Sequence, residues 1–327
     1  MFWKRKDAGT TIFFCSDLHG STLCFKKFIN SAAYYSSRGR HVDMILMGGD
    51  MTGKLIVPII KQGGEYRSYL FGKEHTLTTK DELDGLIKKT EVLGVYPHIF
   101  EPDEYEEFRG SKSTQDQLFE KLMLKRLEEW MDFAERKLAD NGTPCYMSPG
   151  NDDIPEVNAI LKSSSMVICP DNSVIRITED HEMMSLGNSN PTPFNCPRDL
   201  PEEELTRMIE ALSPSVQDMS NCIFNMHCPP FDTGIDEAPI LDEELRPRIG
   251  IQGVEMAPVG CQAVRQAIEK YQPLLGLHGH IHESKGAATL GRTLCINPGS
   301  EYSEGVLRGA LVTIKKGKVL SHMFTSG

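Results

Sequence analysis

The stretch Ile12-Phe-Phe-Cys-Ser-Asp17-Leu-His19-Gly20 decides how the rest of the chain is read. An unbroken apolar run of this kind suits a strand covered on both faces, and Asp17 and His19 fall where that strand runs out. Gly20-Ser21-Thr22 then opens a helix, with Ser21 or Thr22 as its N-cap. A carboxylate and an imidazole two residues apart lie on one side of an extended backbone, so both can reach one cation. At a single strand end a capping Asp and a surface His would read equally well. The chain, however, repeats the arrangement.

Residues 23–35 carry helical spacing through Phe25, Phe28, Ile29 and Ala32, and Met44–Met47 is a second apolar strand that finishes in Gly48-Gly-Asp50. Strand, helix and strand in this order predict a layered α/β architecture with functional loops at strand ends. Residues 114–141 form the strongest helical pattern; Phe119, Met123, Leu127, Trp130, Ala134 and Leu138 make a stripe that reads as core, closed by Asn141-Gly142. Three more apolar strands end in polar residues: Cys145–Met147 before Gly150-Asn151-Asp152-Asp153, residues 221–226 before His227-Cys-Pro-Pro230, and residues 274–277 before His278-Gly-His280-Ile-His282. Residues 166–169, 174–177, 183–186, 293–296, 310–314 and 319–324 read as further strands, 199–212 and Gln262–Tyr271 as helices, and 231–259 as a long loop.

Residues 54–113 break this rhythm. Runs at 57–61 and 66–71 flank Gly63-Gly64 as a hairpin, a helix is expected over 80–90, and 101–107 is strongly acidic. The expectation is one domain over residues 1–327 with a subdomain inserted at 54–113, serving as a lid or as a docking surface for a protein partner.

The formal charge of −11 argues against non-specific binding to nucleic acid or an anionic membrane surface. Nine scattered cysteines, with no C-x-x-C pair, point to reduced thiols in the cytoplasm. Met1-Phe-Trp-Lys-Arg-Lys has no apolar run behind it before Asp7, so no secretory leader is expected, and no stretch has the length of a membrane span.

Five strand ends therefore carry candidate ligands: Asp17 and His19, Asp50, Asn151, His227, and His280 with His282. Carboxylate, imidazole and amide oxygen suit divalent ions, Mn²⁺ foremost, with Fe²⁺, Ni²⁺ or Zn²⁺ also compatible. Seven ligands are too many for one ion and about right for two ions that share a carboxylate. Two ions roughly 3.5–4 Å apart are the usual device for activating water against a phosphate ester.

The blocks Asp17-x-His19, Gly49-Asp50-x-x-Gly53, Gly150-Asn151-x-Asp153, His227-x-Pro229 and Gly279-His280-x-His282 resemble, in order, those of the calcineurin-like metallophosphoesterases. Asn190-Pro-Thr-Pro-Phe-Asn195, His227-Cys-Pro-Pro-Phe-Asp-Thr233, Gly279-His-Ile-His-Glu283 and Asn297-Pro-Gly-Ser300 are similar to the small cytosolic Icc-related branch. The resemblance implies a four-layer α/β/β/α sandwich. It implies that Asp17, His19 and His282 hold one metal, that Asn151, His227 and His280 hold the other, and that Asp50 bridges them. It further implies in-line attack on phosphorus by a metal-bound hydroxide. The resemblance fails at Asp152, where most of the family has a His that assists the leaving group. A carboxylate beside two dications stays ionised and is a poor proton donor, which turns the expectation from demanding monoesters toward diesters. Asp152 and Asp153 are the catalytic candidates, Asp153 also as a brace for the loop that carries Asn151. His41, His75, His98, His181 and His322 match no motif, His278 reads as packing, and Cys228 is a weak thiol candidate beside His227. The leading reading is a phosphodiesterase for a small, nucleotide-like ester. An Mre11-type nuclease and a protein-binding scaffold on the same fold are the alternatives.

Overall fold

The computed structural model describes residues 9–70, 72–251 and 253–327. The basic start of the chain and Phe71, placed in the predicted hairpin, lie outside the described residues. Two six-stranded sheets form the centre. In the first the order is Lys318–Ser326, Arg308–Lys315, Thr10–Cys15, Met44–Met47, Cys145–Met147 and Val167–Ile168, parallel from Thr10–Cys15 onward. In the second it is Gly286–Leu290, Thr293–Asn297, Leu275–Leu277, Cys222–Met226, Glu182–Leu186 and Ser173–Arg176, with the four inner strands parallel.

Side-chain alternation turns these sheets into a sandwich. Ile12, Phe14, Met44 and Leu46 face Met183, Ile223, Leu275 and Ile296 of the other sheet and fill the space between them. Their neighbours Phe13, Cys15, Ile45 and Met47 point the other way, into a second core closed by the helices Thr22–Ser36 and Lys112–Asn141. On the far side Met184, Phe224 and Met226 pack under the helices Glu202–Leu212 and Gln262–Tyr271. Helix, sheet, sheet, helix is the resulting order of layers. Every apolar residue of Thr10–Cys15 is thus buried on one face or the other, which is why the strand reads as a continuous hydrophobic run. The stripe on Lys112–Asn141 is core as expected: Trp130 stacks on Phe25 at 4.3 Å and gives its indole N–H to Thr22 Oγ1.

Within the stretch expected as an insertion, residues 56–100 carry a sheet and a core of their own, whereas 112 and 113 already belong to the helix Lys112–Asn141. The sheet runs Lys73–Leu77, Glu65–Leu70, Ile56–Gln62, Tyr96–Phe100, and Val57, Ile59, Leu70, Leu77, Leu83 and Leu86 make the core under the helix Lys80–Leu93. Tyr96–Phe100 and Lys73–Leu77 were not legible as strands. The acidic run forms the exposed helix Pro102–Gly110, whose Tyr105 and Phe108 rings pack on Phe100. The region predicted as loop at 231–259 instead contains two short antiparallel pairs, Glu237–Pro239 with Met256–Pro258 and Ile249–Gly250 with Gly253–Val254. Asp236 closes the base of that excursion by accepting from the backbone N–H of Asp232, Thr233 and Gly260. No helix among the described residues is long and apolar enough to cross a membrane.

The inserted unit is fastened directly to the first strand-end loop. Ser21 caps Thr22–Ser36 by accepting from Cys24 N–H and donates its own hydroxyl to Val92 O, in the last turn of Lys80–Leu93. Gly94 ends that helix at φ 73°, and a Cβ there would lie 2.0 Å from the carbonyl oxygen of His19. Gly142 ends Lys112–Asn141 with a similar φ of 64° but has nothing within 4 Å of its would-be Cβ. Gly142→Ala should therefore show only the backbone penalty of about 1–2 kcal/mol. Gly94→Ala should lose more in urea unfolding, because the His19 loop must also move. Equal losses would show that the close approach is not what demands glycine at 94.

Candidate metal centre

Six of the seven predicted ligands, Asp17, His19, Asp50, His227, His280 and His282, meet at the strand ends, and Asn151 is buried in the adjoining loop between Gly150 and Asp152. The loops after Thr10–Cys15 and Met44–Met47 are zipped together by backbone hydrogen bonds, Asp17 N–H to Gly49 O, His19 N–H to Asp50 O and Gly20 N–H to Met51 O, at 2.7–3.0 Å. Asp17, His19, Asp50 and His280 all have positive φ, at 58°, 39°, 51° and 66°. Left-handed backbone at a residue with a side chain costs about 1–3 kcal/mol and persists only where the surroundings over-determine it. Three glycines allow the crowding. A Cβ on Gly49 would lie 2.3 Å from His227 Nδ1, one on Gly150 2.0 Å from Asp50 Oδ1, and one on Gly279 2.4 Å from Asp17 Oδ2.

Two triads result, Asp17 with His19 and His282, and Asp50 with His227 and His280; within each the candidate donor atoms lie within 4.8 Å of one another. Asp50 Oδ2 stands between the triads, 3.7 Å from His19 Nε2 and 3.3 Å from His227 Nε2. Asp17 Oδ1 also reaches across, 3.6 Å from His282 Nε2 and 3.8 Å from His227 Nε2. A third set within the same limit joins His19, Asp50 and Asp152.

Outer partners fix which atom each ligand presents. Thr52 O lies 3.3 Å from His19 Nδ1 and Gly48 O lies 3.0 Å from His227 Nδ1, so those nitrogens carry protons and both rings turn Nε2 inward. Ser189 Oγ donates to Asn190 Oδ1 and lies 3.2 Å from His280 Nε2, which assigns the proton of His280 to Nε2. Asn151 donates its amide to Asp199 Oδ1 at 2.9 Å, which leaves Asn151 Oδ1 buried and free to accept. Asn297 pins the carbonyls of Gly279 and Ile281 on either side of His280, and Ser300 donates to Asp17 O. These contacts give Asn190 and the Asn297-Pro-Gly-Ser300 segment a physical role.

The residues present fit divalent ions. His19 Nε2 and His282 Nε2 lie 3.0 Å apart, close enough for both to bind one cation in place of the hydrogen bond they make without it. His227 Nε2 and Asn151 Oδ1 are buried without hydrogen-bond partners among the described residues. Burial holds His19 and His280 down to about 4, so both are neutral. Burial acts the same way on His227, but Asp50 and Asp17 outweigh it and raise that imidazole to about 9. Burial would raise Asp17, yet the hydrogen bond with His282 and the charge of His227 bring it to about 2.

Asp152 and Asp153 divide sharply. Asp153 is fully buried and accepts from the backbone N–H of Met51, Thr52 and Gly150 and from Thr52 Oγ1. Burial and the neighbouring Asp50 push it up to about 6. It ties the Asp50 loop to the Asn151 loop, with both oxygens already engaged by these donors. Asp152 lies at the opening. Its N–H holds Asp50 Oδ1, Oδ2 is 2.6 Å from Lys54 Nζ, and the Cys196 thiol donates to Oδ1 at 2.7 Å. Asp152 outweighs the desolvation of Lys54 and raises its pKa, so the ammonium is firmly held.

Sequence reading missed Lys54, Cys196, Asp199 and Tyr302, whose ring lies 4.8 Å from that of His19. None sits in a metal-ligand pattern, and only the fold brings them together. Cys228 is turned away, donating its thiol to Asn190 Oδ1. His278 is the packed histidine expected, neutral and facing the carbonyls of Met226 and Cys228.

No family model matches the chain. An uncharacterised protein of Methanocaldococcus jannaschii, MJ1162, is 32% identical over 152 residues; the match spans 46% of this chain and 61% of that protein, less than two thirds of its length. Among solved structures, TT1561 of Thermus thermophilus superposes with a TM-score of 0.50 at 15% identity, covering 98% of each chain. A second solved chain superposes at 0.54 with 14% identity, covering 97% of this chain and 98% of that one. At such identities these structures establish a shared fold.

Two outcomes test this geometry. In the ion-free protein His280→Gly should be more stable than His280→Ala by about 1–2 kcal/mol, because only the backbone conformation separates them; equal urea midpoints would show that the φ of 66° relaxes freely. The protonation of His227 sets a pH dependence. Its folded pKa lies above the unfolded value, so its stabilising contribution to the ion-free protein is complete below about 6.5 and lost as pH rises through about 9. A cation must displace that proton, so affinity should rise with pH by about tenfold per unit below 9 from this group alone. Titrating Mn²⁺ by calorimetry at pH 6, 7 and 8 checks it, and a flat affinity would contradict the assignment.

Proposed function

We propose that the protein is a metal-dependent phosphoesterase of the calcineurin-like kind, acting as a phosphodiesterase on a small, nucleotide-like ester. The carrying observation is Asp50 Oδ2 reaching both triads, with Nε2 of His19 at 3.7 Å and Nε2 of His227 at 3.3 Å on either side of it. Two divalent ions held there, Mn²⁺ foremost, would supply charge to stabilise a pentavalent phosphoryl group and lower the pKa of a water. Asp17, His19 and His282 would hold one, Asn151, His227 and His280 the other, and Asp50 both. The chain's own residues do the rest. Asp153 ties the Asp50 and Asn151 loops together, and Asp199 holds the Asn151 amide nitrogen, which leaves its oxygen unpartnered.

The chemistry at the opening favours diesters. Asp152 is engaged by a lysine ammonium and a thiol as an acceptor, so it has no proton to give to a leaving alkoxide. General acid help is worth about 10²–10⁴-fold, and an ester with a good leaving group needs it least. The subdomain at 54–113 is read as a frame for the opening, since its first residue reaches Asp152 and its helix end supports the His19 loop. All nine cysteines are unpaired, which supports the cytoplasm as the compartment.

After reconstitution with Mn²⁺ the protein should bind two ions and hydrolyse bis-p-nitrophenyl phosphate. Asp50→Ala should lower turnover by more than the roughly 10–100-fold that loss of an outer partner brings. Absence of bound metal by elemental analysis, or unchanged turnover in Asp50→Ala, would contradict the proposal.

A further inference from the structure

Exposure across the centre marks the way in. Asp17, His19, Asp50, Asn151 and His227 are buried, whereas the side chains of Asp152, His282 and Lys54 are 18%, 26% and 50% exposed. A ligand therefore arrives past Lys54 and Asp152 before it meets the triads. Asp152 is already engaged on both oxygens, by Lys54 Nζ and by the Cys196 thiol, and through its backbone N–H to Asp50. Its freedom to move is small. Lys54 has three donors and uses one on Asp152, which leaves two for an incoming acceptor. It follows Gly53, whose N–H is held by Tyr96 Oη of the inserted unit at 2.7 Å, so the lysine is delivered from a fixed point.

We infer that Lys54 is a substrate-binding residue that grips a non-bridging phosphoryl oxygen, and that its partner Asp152 sets the charge of substrate accepted. This deepens the phosphoesterase reading and rests on it. The pair is neutral as a whole but directional. The ammonium attracts one anionic oxygen, while the carboxylate 2.6 Å away repels a second charge on the same phosphorus. A phosphodiester monoanion satisfies the lysine without meeting the carboxylate. A monoester dianion brings both. Discrimination against monoesters is then built into the opening, separately from the lack of a proton donor, and it acts on binding rather than on turnover.

The test uses Mn²⁺-loaded full-length protein and the variants Lys54→Ala, Lys54→Arg, Asp152→Ala and the double variant Lys54→Ala/Asp152→Ala. Inorganic phosphate binding is measured by calorimetry, and KM and kcat on matched aryl diester and monoester pairs. Metal content and thermal midpoint confirm that each variant is folded and loaded. Lys54→Ala should weaken phosphate binding and raise the diester KM by roughly 10–100-fold, with a smaller change in kcat. Lys54→Arg should recover most of the loss. Asp152→Ala should tighten phosphate and lower the monoester KM relative to the diester KM. The double variant should bind phosphate more tightly than Lys54→Ala, because the repulsion leaves with the carboxylate, but more weakly than Asp152→Ala, because the grip of the lysine stays lost. Unchanged phosphate affinity and KM in Lys54→Ala would overturn the inference, as would equal affinity in the double variant and Asp152→Ala, because then the lysine does no more than neutralise Asp152. Should the loaded wild-type protein hydrolyse no phosphate ester, the proposed function fails, while the phosphate titrations still decide the role of Lys54.

Discussion

Asp50 Oδ2 lies 3.3 Å from one inward-facing imidazole nitrogen and 3.7 Å from another, and much of the molecule is arranged so that this can be so. Such an approach needs loops from both sheets to converge within a few ångströms. It needs glycine at 49, 150 and 279, where any Cβ would strike a candidate ligand, and left-handed backbone at four of the candidate ligands themselves. It also needs a counterweight, since unpaired buried carboxylates and imidazoles of this density oppose folding. Sandwich packing, the buried Asp153 brace and the carbonyls behind His19 and His227 supply part of it.

This concentration of strain explains why the site was legible in the sequence and its surroundings were not. Asp17, Asp50, Asn151, His227 and His280 each follow a short apolar strand, so a one-dimensional pattern of strand followed by ligand carries them. The four layers were legible for the same reason, because parallel strands buried on both faces read as apolar runs. Lys54, Cys196, Asp199 and Tyr302 lie in the loops and insertion between those runs. Lys54 meets Asp152, far along the chain, only through tertiary structure, and no spacing rule points to that pairing. Within 54–113 the Gly63-Gly64 turn was plain, but Tyr96–Phe100 contains a proline and a histidine and Lys73–Leu77 is mostly polar, so neither has the alternation that marks a strand. Asp153 sat in the right block and was half understood; its burial among four donors is a fact of three dimensions.

The inserted unit and the metal centre share one boundary. Val92 O receives the hydroxyl of the residue that caps the first helix, and Gly94 lies against the carbonyl of His19. A subdomain with its own small core is thereby joined to the loop on which the first triad depends. Its separate sheet gives it the means to vary in sequence, while its attachment keeps the end of Lys80–Leu93 and the start of Tyr96–Phe100 under the constraint of the site.

The ligands also span nearly the whole length of the chain. His19 and His282, whose nitrogens face each other at 3.0 Å, are 263 positions apart, and each triad takes one member from the 280–282 loop. During synthesis neither triad can close until that loop has left the ribosome. The first sheet waits longer still, because Thr10–Cys15 takes Arg308–Lys315 as its neighbour on one side and keeps that edge unpaired until the end of the chain arrives. Closure of both triads and of the sheet beneath them thus falls late in the birth of the molecule, and contacts of such long range make it slow. A nascent chain of this design is exposed for longest at that open strand edge, which makes it the natural point of mispairing.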